Sequence, residues 1–259
     1  MLRSILVHLK ALDKGFVPPL LAPAIHAEFI KWLPEEARDH SNSERRPFTV
    51  SDLRGSFDIE PGGWRRIGRG QRVSFRLTFL KDLGAVLPQV GQELTLADIR
   101  FQFQQVSIDD GEWAREISYK SLVDRYAGSG EQASELVKVR FESPATFHVQ
   151  DDIHEPLPAP LRVFDSWLTR WMQFSPIKTP YGVSNLDHAR VAISEYDLKT
   201  HGVKYAEAMW IGFTGYCHFR IFSTDVGTVK LANLLADFAF YCGTGAKTSF
   251  GLGQTRRLR

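Results

Sequence analysis

Apolar residues recur along this chain with two different periods. Ile5, Val7, Leu9 and Ala11 fall on every second position, which predicts a half-buried strand over Arg3–Leu12. Ile25, Phe29, Trp32 and Leu33 stand at i, i+4, i+7 and i+8, and Pro23 sits in the first turn, so Pro23–Leu33 reads as an amphipathic helix. A polar stretch, Pro34–Arg46, separates this helix from a strand over Phe48–Leu53 and a Gly/Arg-rich turn over Pro61–Gly70. Val73, Phe75, Leu77 and Phe79 then alternate with polar neighbours, marking a strand over Arg72–Leu80. A short helix over Lys81–Leu87 and a strand over Ile99–Val106 complete this half.

The second half repeats the rhythm without repeating the sequence. Leu136–Phe147 reads as a strand, and Leu161, Phe164, Leu168, Trp171 and Met172 mark an amphipathic helix. Strands follow around Ala189–Tyr196 and Trp210–Phe222, with a helical turn near Asn185. Leu231, Leu234, Leu235 and Phe238 set a second helix, and Leu252–Leu258 a final strand. Small and polar residues at Tyr126–Ser134 break the pattern between the halves. Each half is therefore of the β-α-β-β-α-β kind, and the reading is an α+β protein of two tandem ferredoxin-like (RRM-type) domains, 1–126 and 135–259.

Composition narrows the class. With 43% hydrophobic and 24% charged residues the chain has material for real cores and is neither collagenous nor disordered. No apolar run approaches the ~18–20 residues of a membrane helix, and the N-terminus, interrupted by His8 and Lys10, does not read as a signal peptide. Cys217 and Cys242 are the only cysteines, too few for a disulfide scaffold, so a reducing, cytoplasmic setting is the default. The formal net charge is only +2, yet the charge is uneven. Arg45, Arg46, Arg54, Arg65, Arg66, Arg69, Arg72 and Arg76 crowd one stretch, and Lys247, Arg256, Arg257 and Arg259 crowd the end. Guanidinium forks suit phosphate, so an anionic polymer competes here with a merely solvated basic surface.

The segment Gly243-Thr-Gly245-Ala-Lys247-Thr248-Ser249-Phe-Gly251-Leu-Gly253 is the most distinctive. Its glycines permit positive φ and close backbone approach, and consecutive N–H groups can cradle an anion. It is not a Walker A loop, because Ala246 precedes Lys247 and the loop follows a helix. A dinucleotide fingerprint fails as well, because Thr248 stands where its third glycine belongs. A structural turn and a phosphate-gripping loop, with Lys247, Thr248 and Ser249 as donors, both remain.

This segment, from Cys242 to Gln254, resembles the C-terminal glycine-rich loop of the CRISPR-associated repeat-processing endoribonucleases, the Cas-six family of the RAMP superfamily. IHAEFIKWL, PFTVSDLRG, FESPATFHV and GFTGYCHFRI resemble the same family in the same order, so the likeness spans nearly the whole chain. The resemblance implies two ferredoxin-like domains, CRISPR repeat RNA (precursor crRNA) as partner, and cleavage without a metal or other cofactor. In that chemistry the 2′-hydroxyl attacks the adjacent phosphate, leaving 2′,3′-cyclic phosphate and 5′-hydroxyl ends. It also implies possible association with CRISPR effector-complex subunits, as monomer or homodimer and away from membranes. A non-catalytic RNA-binding subunit of the same superfamily is the alternative.

The family places acid–base residues in the N-terminal helix and the loop beyond it. His26 and His40 are accordingly the candidate catalytic residues, with His26 also readable as a packing histidine beside the apolar stripe and His40 as an exposed loop residue. Ser41 and Ser43 are candidates for orienting a phosphate. Lys247, Thr248, Ser249, Gly243, Gly245, Gly251 and Gly253 are the expected RNA-binding loop, and Arg65, Arg66, Arg69 and Arg72 the expected RNA grip. Trp64 is placed either to stack on a base or to cap a core. His8 and His218 read as structural, and His148, His154, His188 and His201 are assigned no role.

Overall fold

A computed structural model describes residues 1–38, 45–128, 130–150, 153–183, 186, 191–205 and 208–259. The chain forms two units: Met1–Glu116 together with Ser249–Gly251, and Ile117–Thr248 together with Leu252–Arg259. Both are ferredoxin-like.

In the first unit the alternating segments become β1 (Leu2–Ala11), β2 (Phe48–Val50), β3 (Arg72–Phe79), β4 (Glu93–Leu96) and β5 (Ile99–Ser107). They lie in the order β2-β3-β1-β5-β4, every neighbour antiparallel. Two strands separated by one helix, with an antiparallel strand inserted between them, are the split unit that the pattern foretold. Helix α1 (Ala22–Lys31) carries Pro23 in its first turn and buries Ile25 and Phe29 on the sheet. Phe29 meets Phe48 edge-on at 4.9 Å between centroids and Phe79 at 5.7 Å. Completely buried, it contributes about 1.5–3 kcal/mol.

One expected element is absent. Lys81–Leu87 does not form a helix: Gly84 takes φ +62°, and the Val86 N–H donates to the Trp32 carbonyl at 2.8 Å. The segment thus caps α1 instead of building its own i→i−4 ladder.

The second unit runs β6 (Leu136–Ala145), α2 (Pro160–Phe174), β7 (Val191–Tyr205), β8 (Ala208–Ile221), α3 (Val226–Cys242) and β9 (Thr255–Leu258), with sheet order β7-β8-β6-β9. Trp167 and Trp171 of α2 are fully buried, and Trp171 lies edge-on to Phe238 of α3 at 5.2 Å. Asp225 starts α3 by accepting from the N–H groups of Gly227 and Thr228. A single helical turn spans Pro180–Gly182, and the turn expected near Asn185, like His188, lies outside the described residues.

The units divide at Glu116–Ile117, ahead of the polar Tyr126–Ser134 stretch. The reason is a one-turn-and-a-half helix, Tyr119–Asp124, that carries too few residues to show a period. Its Tyr119 ring packs on Trp171 and Phe238, and the nearby Tyr126 hydroxyl donates to Asp237 at 2.6 Å, which ties the segment to the second unit. Among the described residues no helix is long and apolar enough to cross a membrane.

Candidate functional site

The glycine-rich loop follows α3 because Gly243 ends that helix at φ +67°. Gly245, Gly251 and Gly253 also take positive φ, at 74°, 92° and 66°. A Cβ at Gly245 would stand 2.1 Å from the Thr146 carbonyl oxygen, and one at Gly253 2.0 Å from that of Thr244. Glycine is therefore required at both positions by conformation and by contact with the chain's own backbone.

Within the second unit the loop is fastened at several points. Thr244 N–H donates to Gly253 O at 2.8 Å, and Ala246 N–H donates to Thr146 O at 2.8 Å. Trp167 Nε1–H donates to the Thr244 hydroxyl at 2.8 Å. Arg170, buried on α2, donates to Gly245 O at 2.8 Å and to Thr248 Oγ1 at 3.1 Å. Thr248 is buried in this network, so its hydroxyl holds the loop rather than facing solvent. Lys247 is exposed, in the left-handed region at φ +57°, with its ammonium 5.2 Å from the centre of the Trp210 ring. The sequence reading overlooked Arg170, although the spacing of Val163, Trp167, Arg170 and Phe174 places it on the inward stripe of α2.

Within the first unit, Ser249–Gly251 pack on α1. His26 Nδ1–H donates to the Ser249 carbonyl at 2.9 Å, and its ring lies on Phe250, with centroids 4.3 Å apart and planes 17° from parallel. His26 and Ser249 are both buried. A carbonyl oxygen can only accept, so Nδ1 carries the hydrogen of this bond. A Cβ on Gly251 would stand 2.4 Å from Ala22 Cβ. His40, Ser41 and Ser43 lie outside the described residues.

The arginine stretch divides into interior and surface groups. Arg65 is buried: its guanidinium pairs with Asp52 at 2.9 Å and donates to the carbonyls of Leu53 and Pro18. Arg76 is also buried and donates to Ser4 Oγ at 2.7 Å. Arg54 lies 4.0 Å over the Trp113 ring. Arg66, Arg69 and Arg72 are exposed, and Arg66 pairs with Glu60. Strand alternation explains the split, since Arg65 shares its inward face with Ile67 while Arg66 points outward. At the C-terminus Arg256 pairs with Glu142, Arg257 bonds Tyr126 and Asn233, and Arg259 pairs with Glu131. That basic run is largely internal wiring of the second unit.

Burial pushes both thiols, Cys217 and Cys242, up to about 12, so neither is a nucleophile at neutral pH. Among the described residues no three His, Cys, Asp or Glu side chains come together as a metal-binding group. Of the other histidines, His8 Nε2 shares a 2.8 Å hydrogen bond with Ser107 Oγ, and His218 Nδ1 lies 3.0 Å from Glu195. Both serve the sheets that carry them.

The family model for the CRISPR-associated endoribonuclease Cas6 matches residues 139–255. A solved Cas6 product complex is 25% identical, with a TM-score of 0.79 and coverage of 100% of this chain and 99% of that chain. A second Cas6 product complex is 24% identical, with a TM-score of 0.79 and both chains covered 100%. Cas6 of Thermus thermophilus is 22% identical, with a TM-score of 0.70, covering 100% of this chain and 98% of that one. No curated protein sequence matches the chain.

Proposed function

We propose that this chain, as a member of the Cas6 family of CRISPR-associated endoribonucleases, binds CRISPR repeat RNA and cuts it without a metal ion. The 2′-hydroxyl at the cut position loses its proton to a general base and attacks the adjacent phosphorus. The P–O5′ bond breaks, a general acid protonates the departing O5′, and a 2′,3′-cyclic phosphate remains. The only nucleophile this route needs is the RNA's own hydroxyl, which DNA lacks.

The observation that carries the reading is the glycine-rich loop after α3, whose exposed Lys247 offers an ammonium to phosphate. We assign proton transfer to His40. His26, held under Phe250 with Nδ1 on the Ser249 carbonyl, is assigned a positioning role: it fixes Ser249–Gly251. Arg66, Arg69 and Arg72 supply exposed cations for the backbone.

A non-catalytic RNA-binding role is the second reading, and the burial of His26 favours it. The ends of the products separate the two. Cleavage by this route gives 5′ ends that accept phosphate from polynucleotide kinase directly and 3′ ends that accept no tailing until the cyclic phosphate is removed. Binding without any product supports the second reading, and 5′-phosphate products contradict the first.

A further inference from the structure

A small three-stranded sheet in the first unit carries an aromatic surface that the glycine-rich loop does not use. Its strands are Gly15–Val17, Arg65–Ile67 and Asp58–Ile59, with Phe16 paired across from Arg66 and Asp58 from Arg66 on the other side. Alternation turns Val17, Arg65 and Ile67 inward, where all three are buried. It turns Phe16 and Arg66 to the opposite face, and Trp64 stands at the end of the turn just before the strand. Phe16 is 50% exposed and Trp64 46% exposed, and the Arg66 guanidinium lies 5.8 Å from the centre of the Phe16 ring. The turn Pro61-Gly62-Gly63, with φ of 77° and 79° at its glycines, presents the indole, and Glu60 N–H closes it on the Trp64 carbonyl at 2.7 Å.

Two half-exposed aromatic rings, with Arg66 over Phe16 and paired to Glu60, offer flat apolar faces to a ligand. The adjoining charge identifies the partner. Lys14, Arg69 and Arg100 line one shallow groove with Leu12 and Asp13, the last of these ion-paired to Arg100. Lys10 and Arg72 stand directly opposite each other across β1 and β3, like charges that repel unless an anion lies between them. A ligand that covers both features has flat apolar faces and a polyanionic backbone. Unpaired nucleotides have both, because every base offers a π-face and every linkage a phosphate.

We infer that the Phe16–Trp64 face is a stacking platform for unpaired nucleotides of the RNA, with Lys10, Lys14, Arg69 and Arg72 following the phosphates. This rests on the RNA-binding reading above and adds a site for single-stranded substrate that is separate from proton transfer.

The test uses fluorescence anisotropy on two labelled RNAs, an unstructured oligoadenylate of about ten nucleotides and the CRISPR repeat RNA. Three proteins are compared: wild type, Phe16→Ala/Trp64→Ala, and Phe16→Tyr/Trp64→Phe. The alanine protein loses oligoadenylate affinity by about 10- to 100-fold, whereas the conservative protein stays within about twofold of wild type. Unchanged oligoadenylate binding by a normally melting alanine protein overturns the platform, as does wild type that does not bind oligoadenylate. If repeat RNA is bound and cut by a protein whose oligoadenylate affinity ignores these substitutions, the platform falls and the repeat-processing reading stands. If oligoadenylate binding responds as described while repeat RNA is neither bound nor cut, the platform stands and the repeat-processing reading falls.

Discussion

His26 Nδ1–H donates to the carbonyl oxygen of Ser249 across 223 positions of sequence, at 2.9 Å, while its ring lies flat on Phe250. One side chain of α1 thus holds the backbone of the glycine-rich segment by a hydrogen bond and by stacking. His26→Ala removes both and leaves a buried carbonyl without this donor, a loss of about 1–3 kcal/mol. The expected result is a lower melting temperature and a single-turnover cleavage rate reduced about tenfold or more. His26→Asn, whose amide can still donate to the carbonyl, recovers part of that rate. Rescue by asparagine marks positioning; an equal loss in both variants marks proton transfer by the ring itself.

Substitutions at His40 and Lys247 test whether catalysis separates from binding. His40→Ala slows cleavage by about 10²–10⁴-fold with RNA affinity nearly unchanged. Lys247→Gly suits the positive φ of that position and removes the side chain, ammonium included, without straining the backbone. It weakens binding and lowers the slope of log K against log salt by about 0.7–0.9, the share of one phosphate contact. Anisotropy titrations over a salt series, beside single-turnover rates, check both. Equal, mild effects of the two substitutions on cleavage contradict the assignment.

Gly245→Ala tests whether the loop's shape is fixed by the chain itself. The new Cβ would meet the Thr146 carbonyl at 2.1 Å, and φ is +74°. Gly91→Ala has a similarly unfavourable φ of +90° but no atom within 4 Å of the new Cβ. Gly245→Ala therefore lowers the melting temperature well beyond Gly91→Ala and weakens RNA binding, which Gly91→Ala does not.

How much of this was readable from the sequence follows from what periodicity reports. Val73, Phe75, Leu77 and Phe79 alternate because one face of β3 is core, and Ile25 and Phe29 recur because one side of α1 is. Both sheets are legible for that reason. Lys81–Leu87 deceived the pattern, since Leu83 and Leu87 suit a helix and only Gly84 announces the irregular path. The basic stretches misled in a different way. Charge was visible, but Arg65 is interior because strand alternation turns it inward beside Asp52, and Arg76, on the face of β3 opposite Phe75 and Leu77, is buried against Ser4 and Trp113. The four glycines were legible as positive-φ positions, whereas the backbone that Gly245 and Gly253 approach most closely, at Thr146 and Thr244, belongs to a contact distant in the chain or across the loop. No local signal pairs His26 with Ser249.

Acid stability isolates one helix cap. Asp225 accepts from the Thr228 hydroxyl and from the N–H groups of Thr228 and Gly227, and these bonds hold its carboxyl below the usual carboxylate range. The stabilisation is present above the ordinary value of about 3.9 and is lost as pH falls through the lowered native one. Asp225→Ala therefore melts below wild type at pH 7, and the gap closes in acid. A gap that stays constant across a melting series from neutral pH to strongly acid conditions contradicts this reading.

The most direct measurement takes labelled repeat RNA in EDTA beside the same RNA carrying a single 2′-deoxy substitution at the cut position. The account predicts that the first is cut and the second is bound with similar affinity but stays intact. Cleavage of the deoxy RNA, or loss of all cleavage in EDTA with recovery on adding a divalent metal ion, would contradict it.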